Sequence, residues 1–256
     1  MKTNLAVVFM LAAALTGCSN NNESSADNQV SIQSCYTRSG TDTSIIKDFG
    51  LFIANSDGTA YNNISGNIHV TYDGTWYLPK ITLGKENGTL MAYSPFDESC
   101  TMANMPLDLG KQIDYLYSKG QTVNYNNPNV SIELGHVLSK LTFIVENNPP
   151  TAIKIGNYPT TASLNLFKKT IDANSKKGTI MATEGNIYVL PGSSHTIDKI
   201  VLTYQNVDYD YILPENTFEE GKEYVYNLSI TVNHDLTLNE LKVSPWISGG
   251  KYEGNL

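Results

Sequence analysis

Short apolar segments that alternate with polar residues recur along most of this 256-residue chain, and turn-forming residues separate them. In residues 130–134 and 141–145, every second side chain is apolar. No stretch repeats apolar residues at helical spacing over three turns. Alternation with a period of two is typical of strands that bury one face, and many such strands at regular spacing indicate β-sandwiches. The sequence therefore predicts an all-β fold.

A pair of prolines interrupts this series of strands near the middle of the chain, in Asn147-Asn-Pro-Pro150. No strand continues through such a pair, because proline lacks the amide that a β-ladder needs. We therefore predict a domain boundary near residue 148. It divides the chain into an N-terminal β-sandwich domain of residues 30–148 and a C-terminal β-sandwich domain of residues 149–256, each of a size common for small domains.

The first residues resemble the signal of a bacterial lipoprotein. Lys2 precedes an apolar run that is too short to span a bilayer as a mature helix, and Leu15-Thr-Gly-Cys18 is similar to a lipobox, in which Cys18 becomes the acylated first residue. An apolar N-terminus is also compatible with a buried strand or a membrane anchor. The polar residues after Cys18 argue against both, because they cannot bury themselves. We predict a signal peptide at 1–17 and a polar spacer at 18–29.

Arg38 is the only arginine in the chain. It follows a strand predicted over 29–36 and begins a loop rich in Gly, Ser, Thr and Asp. An exposed loop of this kind is where a protease can bind an extended backbone. A single arginine is equally compatible with an ordinary surface residue, so the residues alone leave the role of Arg38 open.

Charge and cysteine content limit the partners and the chemistry that the chain can have. The formal net charge of -8 leaves no basic patch for phosphate groups, so no nucleic-acid partner is expected. Once Cys18 is assigned to the lipobox, Cys35 and Cys100 remain. These two cysteines either pair in an oxidising compartment or stay free, and the sequence alone does not decide between the two.

The sequence carries no pattern for catalysis, a cofactor or a metal. Its histidines are isolated, and none has a partner at metal-ligand spacing: His69, His136, His195 and His234. His136 lies where a strand bends, which favours a structural role. Asp208 and Asp210 face the same side of a predicted strand, yet an exposed strand face explains them more simply than a pair of glycosidase carboxylates. We therefore expect no catalytic, cofactor-binding or metal-binding residues, and a protein that is not an enzyme.

Several segments resemble the fimbrillin family. Residues 130–143 are similar to a recurring stretch of that family, 218–232 to its strand with a turn glycine and a Tyr-x-Tyr pattern, and 243–246 to its closing strand and tryptophan. Together with the lipobox and 49–53, the resemblance covers nearly the whole chain. It rests on the order and spacing of the segments, because each one alone is weak.

The resemblance implies a type V pilin of Gram-negative anaerobes, with two tandem transthyretin-like β-sandwich domains after a lipoprotein signal peptide. It implies export to the cell outer membrane through lipid on Cys18, then cleavage between Arg38 and Ser39 that removes the leader and the first strand. The exposed groove would accept a strand from the next subunit. The expected partners are other pilin subunits, the outer membrane before processing, and a ligand on a host or bacterial surface. The expected location is the cell surface, in a pilus.

The candidate donor strand lies near the C-terminus, and its socket-filling residues are Leu236, Leu238, Leu241, Val243 and Ile247. The same segment is equally compatible with a permanent strand of its own domain, so a stalk, tip or anchor role stays open. The leading hypothesis is a structural or adhesive pilus subunit. The alternative is a permanently tethered surface lipoprotein that binds a glycan or another ligand, and a third option is an exported hydrolase.

Overall fold

A computed structural model describes residues 28–37, 46–62, 64, 66–193, 195–214 and 216–247. These residues form nineteen β-strands and one short 3-10 helix, with no α-helix among them, so the all-β prediction is confirmed. No helix in the described part of the chain is long and apolar enough to cross a membrane. Cys18, Arg38 and Ser39 lie outside the described residues.

The strands of the first half are, in chain order, β1 (Ser31–Thr37), β2 (Asp48–Ala54), β3 (Ile68–Tyr72), β4 (Trp76–Tyr77), β5 (Gly88–Ser94), β6 (Met105–Asp108), β7 (Leu116–Tyr117), β8 (Gln121–Val123) and β9 (Asn129–His136). The 3-10 helix, Leu109–Lys111, follows β6. The remaining strands are β10 (Ser139–Val145), β11 (Ala152–Pro159), β12 (Thr161–Asn165), β13 (Thr170–Ala173), β14 (Lys177–Ala182), β15 (Asn186–Val189), β16 (Ile200–Tyr204), β17 (Val207–Tyr211), β18 (Lys222–Ile230) and β19 (Leu236–Pro245).

These strands form four sheets. The first has the order β1-β9-β7-β5-β2-β3-β4, with β8 also paired to β5. Two four-stranded sheets follow, β15-β10-β18-β19 and β14-β11-β16-β17, and the last has the order β13-β12-β6. Most neighbours are antiparallel, but β1 runs parallel to β9 and β10 runs parallel to β18. Both parallel pairs join segments that are far apart in the sequence.

Strand β2 separates two hydrophobic cores. Its residues Leu51 and Ile53 belong to the first core, which the first sheet encloses. Phe52 and Ala54 face the second core, which the other sheets share. Because both faces are buried, the sequence of β2 is a continuous apolar run and not an alternating one.

The sheets of the second half already include strands that precede the prolines near residue 148, where the sequence suggested a boundary. Strand β10 lies inside the predicted N-terminal domain, yet it pairs with β15 and β18 of the second half. Strand β6 pairs with β12 in the same way. The sequence showed where a strand must end at Pro149, but pairing partners depend on contacts between distant residues, which a local pattern does not record.

Candidate functional site

Strand β1 is the end strand of the first sheet, and it also has backbone contacts on the side away from β9. On one edge it pairs with β9 along its whole length. On the other edge, the Val30 amide donates to the Ile81 carbonyl at 3.0 Å, and the Cys35 carbonyl accepts from the Ile46 amide at 3.1 Å. Residues 81–83 follow β4, the strand at the far end of the sheet order. The backbone of Val30 and β1 is therefore hydrogen-bonded to β9 on one side and to Ile81 and Ile46 on the other.

Four side chains of this segment fill the first core. Val30, Ile32, Cys35 and Thr37 are each at most 7% exposed. The register shifts between Ile32 and Ser34, so Gln33 is an extra residue in a β-bulge. Regular alternation from Val30 and Ile32 would turn Ser34 inward, whereas the bulge turns Cys35 inward instead. We call the space filled by β1 and these four side chains the slot.

Two groups in the slot are chemically notable. Burial raises the pKa of the Cys35 thiol to about 12, because the thiolate would lose its hydration. The Thr37 hydroxyl is buried and has no hydrogen-bond partner among the described residues. Cys100 is buried in the second core, whereas Cys35 lies in the first, and both thiols are free. This separation answers the question of pairing that the sequence left open.

The candidate donor segment forms strand β19, the outer strand of its sheet. It pairs antiparallel with β18. Its apolar residues lie opposite apolar or aromatic residues of that strand: Leu236 opposite the partly buried Ile230, and Leu238, Leu241 and Val243 opposite the buried Leu228, Tyr226 and Tyr224. They therefore lie on the face of the sheet that carries the core. Leu238 is nevertheless 36% exposed and Val243 47% exposed. In this structure the segment is a strand of its own domain, and Ile247 lies just beyond it.

The end of β19 is anchored by aromatic stacking. The Trp246 ring lies parallel to the imidazole of His136, with centroids 3.8 Å apart, and Tyr188 packs against the indole at 4.8 Å. His136 belongs to β9, and its Nδ1 is 2.8 Å from a carboxylate oxygen of Asp114. Lys140 Nζ lies 5.8 Å from the centre of the indole ring. His136 therefore holds the C-terminal segment in place through its stacking on Trp246.

The acidic pair considered for catalysis lies on the exposed face of β17. Asp210 accepts a hydrogen bond from Lys199 Nζ at 2.6 Å, and Asp208 accepts one from the Thr203 hydroxyl at 2.6 Å. Each carboxylate thus has its own partner, as on an ordinary strand surface. No group of metal-ligating side chains occurs among the residues that the structure describes.

Comparisons with known proteins show which family model and which solved structures this chain resembles. A family model described as fimbrillin-like matches residues 37–246. A protein named as a candidate cell adhesion protein from Bacteroides uniformis aligns over 86% of this chain and 99% of its own, with a TM-score of 0.63 and 18% identity. A similar candidate from Bacteroides ovatus covers 87% and 99%, with a TM-score of 0.63 and 16% identity. A fimbrial protein from Bacteroides vulgatus covers 85% and 99%, with a TM-score of 0.55 and 14% identity. At these identities the likeness shows the fold alone, and no curated protein matches the sequence.

The family match extends from the last residue of β1 to Trp246. It includes β9, β18 and β19, which carry the segments that resembled fimbrillins in sequence. The match indicates a pilin or adhesin role at the cell surface, in association with other pilin subunits, and a structural and non-enzymatic protein. The chain therefore belongs to the fimbrillin-like family.

Proposed function

We propose that this protein is a structural or adhesive subunit of a type V pilus that assembles by donor-strand exchange. It is exported as a lipoprotein acylated on Cys18, which holds the precursor at the outer membrane. A protease then cuts between Arg38 and Ser39. The leader leaves with β1, and a strand of another pilin subunit takes its place.

The position of β1 carries this proposal. The strand ends at Thr37, directly before Arg38. A single cut there would free every residue of the slot that β1 fills, while residues 81–83 and β9 would remain in the mature protein. Few strands are removable in this way, because most have chain on both sides that must stay. Here the chain before the strand is a signal peptide and a spacer, which a mature subunit can lose.

Loss of β1 would create a surface that favours strand addition. Backbone donors and acceptors along β9 and 81–83 would lose their partners, and the apolar side chains around the slot would meet water. An incoming strand restores the backbone bonds and refills the apolar positions. Because one subunit donates and the next accepts, such contacts do not close on themselves, and they build a filament.

Arginine-specific proteolysis tests the proposal, because the chain has a single arginine. We expect treatment of the purified precursor to remove residues up to Arg38 and to start growth of a polymer ladder that resists mild denaturant. Mass spectrometry of the mature N-terminus would then find Ser39 as the first residue. Arg38→Lys is the matched control, since it keeps the positive charge but removes the cleavage site, and it should stay monomeric.

Two outcomes would contradict the mechanism. Normal polymerisation of Arg38→Lys would separate assembly from the cut. Recovery of the uncut protein with acylated Cys18 as the functional form on cells would favour the permanently tethered lipoprotein.

A further inference from the structure

The first sheet has an opening between two strands that are neighbours in the chain. Strand β7 pairs antiparallel with β9, with Tyr117 opposite Gly135. If this ladder continued, residues 118–123 would lie opposite 129–134, but no pairing joins β8 to β9 in the described part of the chain. A hydrogen-bonded turn of residues 124–127 closes the far end. We call the space between these two segments the β8–β9 gap.

A bulge separates β7 from β8 along one side of the gap. Both strands pair with the same edge of β5, with Tyr117 opposite Tyr93 and Gln121 opposite Leu90. Residues 118–120 are therefore three residues opposite two of β5, which is one more than a regular ladder holds. The chain leaves the regular strand path at the place where the pairing with β9 ends.

Ser118 and Gly120 fix this bulge. The Ser118 hydroxyl accepts a hydrogen bond from the Ala92 amide at 2.8 Å, and the Ser118 amide donates to the Ala92 carbonyl at 2.8 Å. Gly120 has a φ of +91°, and a Cβ there would lie 3.0 Å from the Thr89 side chain. A residue other than glycine would be strained in this conformation. The opening is therefore specified by particular residues and is not a frayed strand end.

A cavity of about 340 Å³ occupies the gap. This volume is at the lower end of the range for small-molecule sites. Three buried side chains border the cavity and give it an apolar surface: Leu90, Ile132 and Tyr117. Because β7 closes one end of the gap and the turn closes the other, an extended peptide cannot pass along it. The cavity therefore suits a compact ligand that enters from the exposed side.

The polar side chains at the rim of the cavity include both hydrogen-bond donors and acceptors. Lys119 can only donate, Glu133 and Glu220 accept, and Gln121 and Ser131 can do both. Glu220 is oriented by the Tyr117 hydroxyl, which donates to its Oε1 at 2.9 Å. Two carboxylates disfavour an anionic ligand, and a rim of this polarity disfavours a wholly apolar one. A sugar fits both conditions, because its hydroxyls donate and accept while its C–H faces can contact apolar side chains.

We infer that the β8–β9 gap binds one sugar residue of a surface glycan. Rim side chains hydrogen-bond to the sugar hydroxyls, and the apolar side chains contact a face of the ring. The inference rests on the adhesive side of the proposed function, but it requires neither cleavage nor strand exchange. Strand β1 pairs with the opposite edge of β9, so the site is present in the uncut protein.

Saturation-transfer NMR on the uncut protein tests the site. The probes are glucose, galactose, mannose, fucose and N-acetylglucosamine, each added alone, and we expect saturation transfer to at least one of them. Ser131→Tyr places a ring at an exposed position that lines the cavity, so it should abolish this signal. The matched control Thr122→Tyr adds the same ring at an exposed residue of β8 that does not line the cavity, and it should leave the signal unchanged.

A titration of the sugar that binds tests the rim. Lys119→Ala removes one donor without touching the bulge residues Ser118 and Gly120, so the dissociation constant should rise about fivefold. The control Lys85→Ala removes an exposed lysine that does not line the cavity and should leave the dissociation constant unchanged. Equal effects of the two substitutions would contradict a contact between Lys119 and the sugar.

The remaining outcomes separate this inference from the proposed assembly. Saturation transfer to none of the five sugars would overturn the sugar site, even if the cut protein forms ladders. Sugar binding that Ser131→Tyr leaves intact would also overturn it, because the ligand would then bind elsewhere. If Ser131→Tyr does not fold, as judged by denaturant unfolding, Gly135→Leu takes its place, since the nearest atom to a Cβ there is the Tyr117 carbonyl oxygen at 4.0 Å. Sugar binding through the gap in a protein that forms no ladder after cutting would support the site and contradict strand exchange alone.

Discussion

Strands β1 and β19 carry the same spacing of inward-facing residues but lie in opposite environments. Strand β1 pairs with β9 on one edge, and on the other its Cys35 carbonyl accepts a hydrogen bond from the Ile46 amide; its inward side chains are almost fully buried. Strand β19 has a partner on one edge only, and two of its four inward side chains are at least 36% exposed. The proposed cut removes β1, whose inward side chains are buried. Strand β19, whose inward side chains are partly exposed, remains.

This difference indicates where the free energy for assembly would come from. Exposed apolar surface of β19 loses its contact with water only when the strand finds a more enclosed site, and each buried methylene contributes about 0.8 kcal/mol. The slot is such a site once β1 has left. Under the proposed mechanism, β1 of the precursor covers that site and would prevent premature assembly.

The largest effect should follow from a charge on the inward face of β19. Leu238→Asp places a carboxylate on a partly exposed residue of the monomer, so the monomer should still fold. In a slot that held β19 the same carboxylate would replace Ile32, which is 6% exposed, and an uncompensated buried charge costs about 3–5 kcal/mol. We expect no ladder after cutting, as measured by gel electrophoresis in mild denaturant.

The neighbouring substitution Asn239→Asp introduces the same charge at the outward residue that the register shift in β19 leaves unpaired, so it should leave the ladder nearly intact. Loss of assembly in both variants would mean that charge near the C-terminus interferes with assembly in general. Unchanged assembly of Leu238→Asp would remove this residue from the contact.

The anchor at the end of β19 should give the next largest effect. Trp246→Ala removes the stacking on His136 and Tyr188, and truncation of a buried Trp destabilises by about 3 kcal/mol. We expect a lower free energy of unfolding for the monomer, together with faster growth of the ladder, because β19 leaves its own domain more easily. The control Ile247→Ala alters the next residue, which is 45% exposed, and should change neither quantity much. Slower assembly of Trp246→Ala would show that the anchored end of β19 is needed in the assembled form.

The sequence predicted most individual strands but few of their partners. The alternation in 130–134 corresponds to β9, and the apolar run in 49–53 corresponds to β2. Burial of one face produces alternation in the sequence, and burial of both faces produces a continuous apolar run. By contrast, residues 168–177 show no alternating apolar pattern, yet they contain β13, which pairs with β12. That strand is polar, so its pairing and not its periodicity determines its conformation.

The candidate site was predictable in part for the same reason. A strand next to Arg38 could be predicted, but the bulge at Gln33 could not, since a register shift depends on the partner strand. That Gln33 and Asn239 are both bulge residues follows only from two pairings that the sequence does not display. The stacking of Trp246 on His136 likewise joins the last residue of the family match to a residue near its middle, and no local pattern marks it.

The thiol in β1 provides a smaller, pH-dependent contrast. Burial raises the pKa of Cys35 from 9.0 to about 12, so folding keeps the thiol neutral while the unfolded chain ionises. This contribution is fully present below pH 9 and is lost as the pH rises towards 12, which amounts to about 1.4 kcal/mol at pH 10. Between pH 8 and 10, Cys35→Ala should therefore lose less stability than the parent precursor in denaturant unfolding. A cut polymer whose slot held β19 would have Leu241 at this position and should behave like the variant. Equal pH dependence of parent and variant would contradict the burial of Cys35.

The smallest effect tests the unpaired hydroxyl of the precursor itself. Thr37→Val removes a buried polar atom without changing the shape of the side chain, so the precursor should become about 1 kcal/mol more stable. Ser31→Val is the control on the outward face of β1, where the hydroxyl can stay in water and its loss should gain less. The measurement is chemical denaturation of the uncut protein, and the same variants should show slower exchange after cutting for Thr37→Val only. A destabilised Thr37→Val precursor would mean that the hydroxyl has a hydrogen-bond partner.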